Sequence, residues 1–199
     1  IKCALKYQGR YNEAYDRFYK SCWNAAWQDA GYFACAQIST MQSRLEDALD
    51  EIDRSLIRNW HNHKARALKT AILRRMDKTE EALQLIEDSL AIDKFNFGCR
   101  YEKYLITNVA DELSVMKEMM RGEPHNYDEI ALDYCAAGCW QEAASLWNIA
   151  IAEGIVTPMT YYYLGWCLHQ GGLPGVKQAF DDAVKACPDY CFPNRLEAI

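Results

Sequence analysis

The sequence contains no long apolar run and no block of basic residues. Half of its 199 residues are hydrophobic, yet no stretch approaches the ~18 consecutive apolar residues that a membrane span requires. The formal net charge is −6, and the lysines and arginines are not clustered, so the chain lacks the basic surface that nucleic-acid phosphates attract. These absences argue against a membrane-spanning protein and against nucleic acid as the main partner.

The sequence also lacks the common signatures of catalysis. It has no glycine-rich phosphate loop, no nucleophile elbow and no acidic pair in a strand context. The close pair Cys167 and His169 is two residues apart, and so is the pair His61 and His63, and side chains at that spacing diverge on a helix. We therefore expect no enzymatic activity, no cofactor and no metal.

Nine cysteines, an odd number, are spread over a chain that is long enough to fold without disulfides. Most of them lie among alanines and aromatic residues, where a free thiol behaves as a small hydrophobic side chain. We interpret the pairs Cys135–Cys139 and Cys187–Cys191 in the same way, as core thiols rather than zinc ligands. This usage predicts a reducing compartment and hence a cytoplasmic protein.

Three columns of residues recur with a period of 34. Apolar residues at i+3 and i+4 spacing follow an acidic start in each unit, which is typical of an amphipathic helix. Another helical segment precedes each of these helices, so the period predicts two helices per repeat. The columns are Ala14, Ala48 and Ala82; Phe18, Ile52 and Ile86; and Ser21, Ser55 and Ser89.

The later repeats are less regular. Ala143 follows Ala82 by 61 residues, which is one full period plus 27, so one unit has lost about two helical turns. We expect that unit to end with a short helix over 111–121, before Gly122 and Pro124. The predicted repeats are 1–28, 29–62, 63–94, 95–123, 124–156 and 157–190, with the start of a further helix at 193–199. Because the two ends resemble partial helices, at 1–8 and 193–199, we expect a fragment of a longer array.

These columns resemble the tetratricopeptide repeat, a helix-turn-helix unit of 34 residues. The small residue at the eighth position of that repeat corresponds to Ala36, Thr70, Ala131 and Gly165. Its alanine position corresponds to the alanine column above, continued by Ala143, and Val176 replaces the alanine in the last unit. Phe180 occupies the next apolar column in that unit. The resemblance implies an all-α, right-handed α-solenoid of about six repeats, the fourth degenerate, in a single domain. Residues 191–197 are also similar to a stretch of large bacterial repeat proteins that carry a β-sandwich domain of unknown function.

The resemblance further implies a concave groove lined by the first helix of each repeat. This surface would be aromatic at both ends and basic in the middle, and it would suit a peptide with apolar anchors and some acidic character. The alternative is that the aromatic run 161–166 only packs helix against helix. The groove residues implied are Phe33, Gln37, Arg74, Arg75, Tyr101, Leu105, Tyr162, Trp166 and His169, together with Glu102, Asp128 and Tyr163 at further groove positions.

The leading hypothesis is a non-catalytic scaffold that binds a peptide, a helix or a neighbouring domain of its own polypeptide. The alternative hypothesis is an accessory or oligomerisation region of a larger bacterial enzyme, such as a carbohydrate-active one. Exposed terminal repeats would favour homo-oligomers. Acidic residues of the second helices, such as Asp47, Asp50 and Glu51, are expected to be ordinary solvated charges.

Overall fold

The computed structural model describes residues 2–189 and 191–193. Every regular element in this part of the chain is helical, which confirms the all-α prediction. One 3₁₀-helix, Ala25–Trp27, precedes the third α-helix. The α-helices are α1 (Lys2–Tyr7), α2 (Tyr11–Ser21), α3 (Gln28–Met41), α4 (Leu45–Arg58), α5 (His63–Arg75), α6 (Thr79–Ile92), α7 (Phe97–Thr107), α8 (Ala110–Met120), α9 (Pro124–Ala136), α10 (Trp140–Ala152), α11 (Pro158–Gln170) and α12 (Val176–Lys185).

The helices pack as consecutive hairpins. Helix α1 packs on α2, α3 on α4, α5 on α6, α9 on α10 and α11 on α12. The first helices of successive hairpins also touch, since α3 contacts α5, α5 contacts α7 and α9 contacts α11. This serial contact is what the period predicted, because a single hairpin cannot bury its own apolar face.

The alanine column lies in the interior of the helix hairpins. Ala14, Ala48, Ala82 and Ala143 are all fully buried. The large apolar residue four positions later is buried as well in each of these repeats. The column assignment is therefore confirmed for these four hairpins, in which only a methyl group fits between the helices.

The turn inside each regular hairpin has three residues, and the backbone of the middle one adopts the left-handed helical conformation. It is Gly9, Ser43, Asp77 or Gly138, with φ between 58° and 73°. The residue after it donates its backbone N–H to the carbonyl oxygen five positions earlier, at 2.9–3.0 Å. This is the Schellman arrangement that satisfies the last carbonyl groups of a helix. Glycine adopts the conformation freely, whereas serine and aspartate adopt it at an energetic cost.

The last hairpin departs from this rule and corrects the register predicted for it. Five residues, Gly171–Gly175, join α11 to α12, so the alanine position falls on Ala179 instead of Val176. Ala179 is buried, and so is Ala183 in the next column. Phe180 lies outside that column and packs on α11, where a Cβ atom at Gly165 would be 2.9 Å from its ring. The two additional turn residues account for two of the three positions of this shift.

The chain divides into two compact units, Ile1–Met119 and Met120–Ile199, where the sequence predicted one uninterrupted domain. The division falls at the end of α8, the short second helix of the degenerate fourth repeat. That helix spans Ala110–Met120, close to the predicted 111–121, and Pro124 occupies the first position of α9. The boundary between the two compact units therefore lies in the shortened repeat.

Two predictions concern the C-terminus. The further helix at 193–199 and most of the stretch 191–197 lie outside the described residues. Among the residues described, no helix is both long enough and apolar enough to cross a membrane.

Candidate functional site

Three predicted groove residues form one face of α11. Tyr162, Trp166 and His169 are spaced i, i+4 and i+7, which places their side chains on one side of the helix. Tyr162 is 38% exposed, His169 is exposed and Trp166 is half-buried. We call these three residues the aromatic stripe.

The start of α11 is fixed by a capping box. The backbone N–H of Thr160 donates to the Thr157 hydroxyl oxygen, and the backbone N–H of Thr157 donates to the Thr160 hydroxyl oxygen. Pro158 occupies the first helical position, where its missing N–H costs nothing. The capping box therefore defines where α11 begins.

Neighbouring helices support the aromatic stripe from both sides. The Trp166 ring meets the Trp140 ring of α10 edge to face, with centroids 5.7 Å apart. The Tyr162 ring lies 6.3 Å from Phe180 of α12. Trp140 is half-buried and belongs to the same surface. It is not among the groove residues that the resemblance implies, so sequence reasoning missed its contribution to the site.

A second aromatic layer lies in the core of the same unit. Tyr163 stacks on Trp147 with ring centroids 6.2 Å apart, and both side chains are buried. The Trp147 indole Nε1 donates to Asp128 Oδ1 at 2.8 Å, and Asp128 is itself buried. Tyr163 and Asp128 are therefore core residues and not groove residues. Tyr163 therefore packs helix against helix, as the packing alternative proposed, whereas Tyr162 is 38% exposed.

In the first unit, polar groove positions are joined to neighbouring helices. Lys6 Nζ donates to Gln37 Oε1 at 2.6 Å, which links α1 to α3. Arg75 Nη1 donates to the Thr40 carbonyl oxygen at 3.3 Å, which links α5 to α3. These side chains hold successive first helices together. Phe33 and Leu105, also predicted to line the groove, are half-buried.

One of the two arginines at the predicted basic centre of the groove is neutralised by a buried carboxylate. Arg74 Nε donates to Glu102 Oε2 at 2.7 Å and Nη2 to Oε1 at 3.3 Å, and Glu102 is fully buried. Tyr101 is fully buried beside Tyr104. The groove assignments of Tyr101 and Glu102 are therefore wrong, because α7 packs against both α5 and α6 and turns these side chains inward.

Glu51 is not the solvated charge that its position on a second helix suggested. It is 4% exposed, and the Tyr15 hydroxyl donates to its Oε1 at 2.5 Å. Burial raises the pKa of the Glu51 carboxyl, and burial together with this hydrogen bond raises that of the Tyr15 hydroxyl. The pair joins α2 to α4 across two successive repeats.

The thiols offer little nucleophilic chemistry. Six cysteines are buried as expected, whereas Cys187, interpreted as a core thiol, is exposed, as is Cys3. Burial raises the pKa of the Cys99 thiol to about 11 and raises that of Cys135 well above its usual value. Such thiols stay protonated at neutral pH and react slowly. No group of three or more metal-ligating side chains is found within 2–189 and 191–193.

No family model matches the sequence, and no curated protein matches it. A tetratricopeptide repeat protein from Parabacteroides merdae ATCC 43184 is similar in structure, with a TM-score of 0.54 and 16% sequence identity over 96% of this chain and 77% of that one.

Two crystal structures of MamA align with TM-scores of 0.47 and 12% identity, over 93% of this chain and 93% or 87% of theirs. At such identities the likeness concerns the fold alone. This chain has the fold of a tetratricopeptide repeat array, as shown by its helix hairpins, its buried alanine column and its structural similarity to the Parabacteroides merdae protein.

Proposed function

We propose that the protein is an interaction scaffold that binds a peptide or a partner helix through the aromatic stripe of α11. The observation that carries this proposal is the exposure of Tyr162 and His169 beside a half-buried Trp166 on one helix face. Aromatic side chains that are partly packed against the protein and partly exposed to solvent are common anchors of protein interfaces. The ligand would come from another protein or from another domain of the same polypeptide.

The preferred ligand is apolar rather than acidic. Lys64, Arg74 and Arg75 were the reason to expect an acidic peptide, and the charge of Arg74 is matched by Glu102 at 2.7 Å. Around the aromatic stripe the support comes from the rings of Trp140 and Phe180. A helix or extended segment with leucine or aromatic anchors therefore fits this surface better than a carboxylate does.

We infer a non-catalytic role from the state of the titratable groups. The buried acids Glu51, Glu102 and Asp128 are each engaged by a donor from another helix. Groups that are committed to helix–helix contacts in this way have a structural reason for their burial. The free thiols also favour a reducing compartment, and we propose the cytoplasm.

The test is selection of ligands by the full chain from a display library of random 12-residue peptides. We expect selected peptides to share apolar anchors, and we expect the Trp166→Ala variant to lose most of their binding. Trp23→Ala is the matched control, because Trp23 is 77% exposed and lies in the other compact unit. Selection of peptides without apolar anchors, or equal binding by Trp166→Ala and the original chain, would contradict the proposal.

A further inference from the structure

Arg66 is a fully buried arginine on the first helix of the third repeat. Its Nε donates to Ser89 Oγ at 2.8 Å, and the Ser89 hydroxyl donates in turn to the Leu85 carbonyl oxygen. This chain of bonds fixes one edge of the guanidinium against α6. The other edge, with both terminal nitrogens, points away from this anchor because the group is planar.

The terminal nitrogens of Arg66 are poorly satisfied. Nη1 reaches the Trp60 carbonyl oxygen only at 3.5 Å, and Nη2 has no hydrogen-bond partner among the described residues. No carboxylate of the described residues lies within ion-pair distance of this guanidinium, and the Asp88 carboxylate of α6 acts on its charge only from further away. Burial lowers the pKa of Arg66, as expected for a cation taken out of water. A buried charge normally has a counter-ion, so this one calls for an explanation.

The Trp60 ring covers the guanidinium. It lies in the loop between α4 and α5, and the Arg66 Cζ atom is 4.1 Å from the ring centroid. Trp60 is 47% exposed, so solvent borders the outer side of the ring. The ring therefore lies between one face of the guanidinium and solvent.

A second unsatisfied nitrogen lies on the same face of α5. His63 Nδ1 is buried and has no hydrogen-bond partner among the described residues. His63 and Arg66 are three positions apart, which brings their side chains together on the helix surface. The opposite ring nitrogen, Nε2, is 3.7 Å from Asp93 Oδ2.

We propose that Arg66 is the receptor of a carboxylate-binding site that opens when Trp60 moves aside. Nη1 and Nη2 form a planar fork that matches the two oxygens of one carboxylate. His63 Nδ1, when it carries a proton, adds a third donor. The carboxylate belongs to a peptide, as a side chain or as a C-terminus. This site lies in the first unit, apart from the aromatic stripe, and does not rest on the proposed function of that surface.

The charge balance selects a carboxylate over a phosphate. One monoanion neutralises the single charge of Arg66, whereas a phosphate dianion would leave a negative charge in a buried place. Asp93, close to His63, adds to the cost of a second negative charge. A carboxylate therefore resolves the unpaired cation without creating an unpaired anion.

The first test measures the stability of the chain without added carboxylate. Arg66→Met keeps the volume and removes the unpaired charge, so the unfolding temperature should rise by roughly 2–4 °C. Arg58→Met is the control, because Arg58 is exposed at the end of α4, and it should change little. A fall in unfolding temperature for Arg66→Met would mean that the arginine is structural, and would overturn the proposal.

The second test adds sodium acetate at constant ionic strength, with sodium chloride as the reference salt. Acetate should raise the unfolding temperature of the original chain, more strongly so for Trp60→Ala, and not for Arg66→Met. In NMR spectra the indole N–H signal of Trp60 should shift with acetate, while that of the buried Trp147 should not. Equal responses to acetate and chloride, or a response that survives in Arg66→Met, would overturn the proposal.

The source of the carboxylate is distinguished by three peptides. Acetyl-Ala-Ala-Ala has a free C-terminus, acetyl-Ala-Glu-Ala-amide has only a side-chain carboxylate, and acetyl-Ala-Gln-Ala-amide has none. Binding of the first identifies a C-terminus and binding of the second identifies an acidic side chain, each with loss of affinity in Arg66→Met. Equal binding of the glutamine peptide would show that no carboxylate is recognised.

Discussion

Arg74 and Glu102 form a two-point ion pair between the first helices of the third and fourth repeats. Nε lies 2.7 Å from Oε2 and Nη2 lies 3.3 Å from Oε1, with the carboxylate fully buried and the guanidinium partly open to solvent. The contact joins α5 to α7 at two positions that a regular array would turn toward its ligand. Here they hold the array together.

Removing Arg74 should be costly because it leaves the buried Glu102 carboxylate without this counter-charge. We expect Arg74→Met to lower the free energy of unfolding by about 3–5 kcal/mol, measured by urea denaturation. Arg17→Met, at an exposed position of α2, should change it by less than about 0.5 kcal/mol. The double variant Arg74→Met, Glu102→Gln should recover part of the loss. Equal stability of Arg74→Met and Arg17→Met would show that the pair is unimportant.

Glu51 should make stability depend on pH. Its folded pKa is raised by burial, so in the window above its ordinary value the folded state binds more protons than the unfolded state. Stability from this group is therefore present at low pH and is lost as the pH rises through that window. Glu51→Gln should be more stable than the original chain at pH 7 and should have a flatter profile between pH 4.5 and 7, measured by urea denaturation. A profile that is unchanged by the substitution would contradict this account.

At the turn positions with positive φ, glycine should stabilise the fold and a residue with a side chain should destabilise it. Asp77 has φ 58°, so Asp77→Gly should raise the free energy of unfolding by about 0.5–1 kcal/mol. Gly9 has φ 72° and a Cβ atom there would touch nothing, so Gly9→Ala should lower it by about 1–2 kcal/mol through backbone strain alone. Thermal or urea unfolding measures both. If the two substitutions shifted stability in the same direction, the turn geometry would be wrong.

The alanine column predicts where larger side chains are rejected. Ala82→Leu should overpack its hairpin and lower the free energy of unfolding by about 1–3 kcal/mol. The corrected register of the last hairpin predicts the same loss for Ala179→Leu and almost none for the partly exposed Val176→Leu. Urea denaturation of the three variants decides between the two registers. A large loss at residue 176 and none at residue 179 would restore the register expected from the sequence.

The sequence was sufficient for the repeat architecture because burial in a helix hairpin imposes a period. Ala14, Ala48 and Ala82 lie where close helix contact excludes larger side chains, and this signal survives without an alignment. The last hairpin could not be placed in this way, because two additional residues in its turn leave no mark on an ungapped periodic comparison. A change of turn length is visible only once the positions of both helices are known.

The candidate site was predicted less completely, since a groove position implies exposure only in a regular repeat. Tyr162 is exposed and Trp166 is half-buried, but Tyr101 lies in the shortened repeat and is buried. Burial of Glu51 had no sequence signal either, because an acidic residue on a second helix has the same local pattern whether or not Tyr15 reaches it from the preceding repeat. These contacts depend on packing between repeats, which periodicity does not specify.

The central claim is that the aromatic stripe of α11 binds a partner. It is tested most directly by the affinity of one library-selected peptide, measured by calorimetric titration, for the original chain and for Trp166→Ala, with unfolding measured in parallel. We predict at least about tenfold weaker binding by Trp166→Ala with a stability loss well below the ~3–5 kcal/mol expected for Trp147→Ala in the core. Unchanged affinity, or a loss of stability at Trp166 as large as at Trp147, would contradict the account.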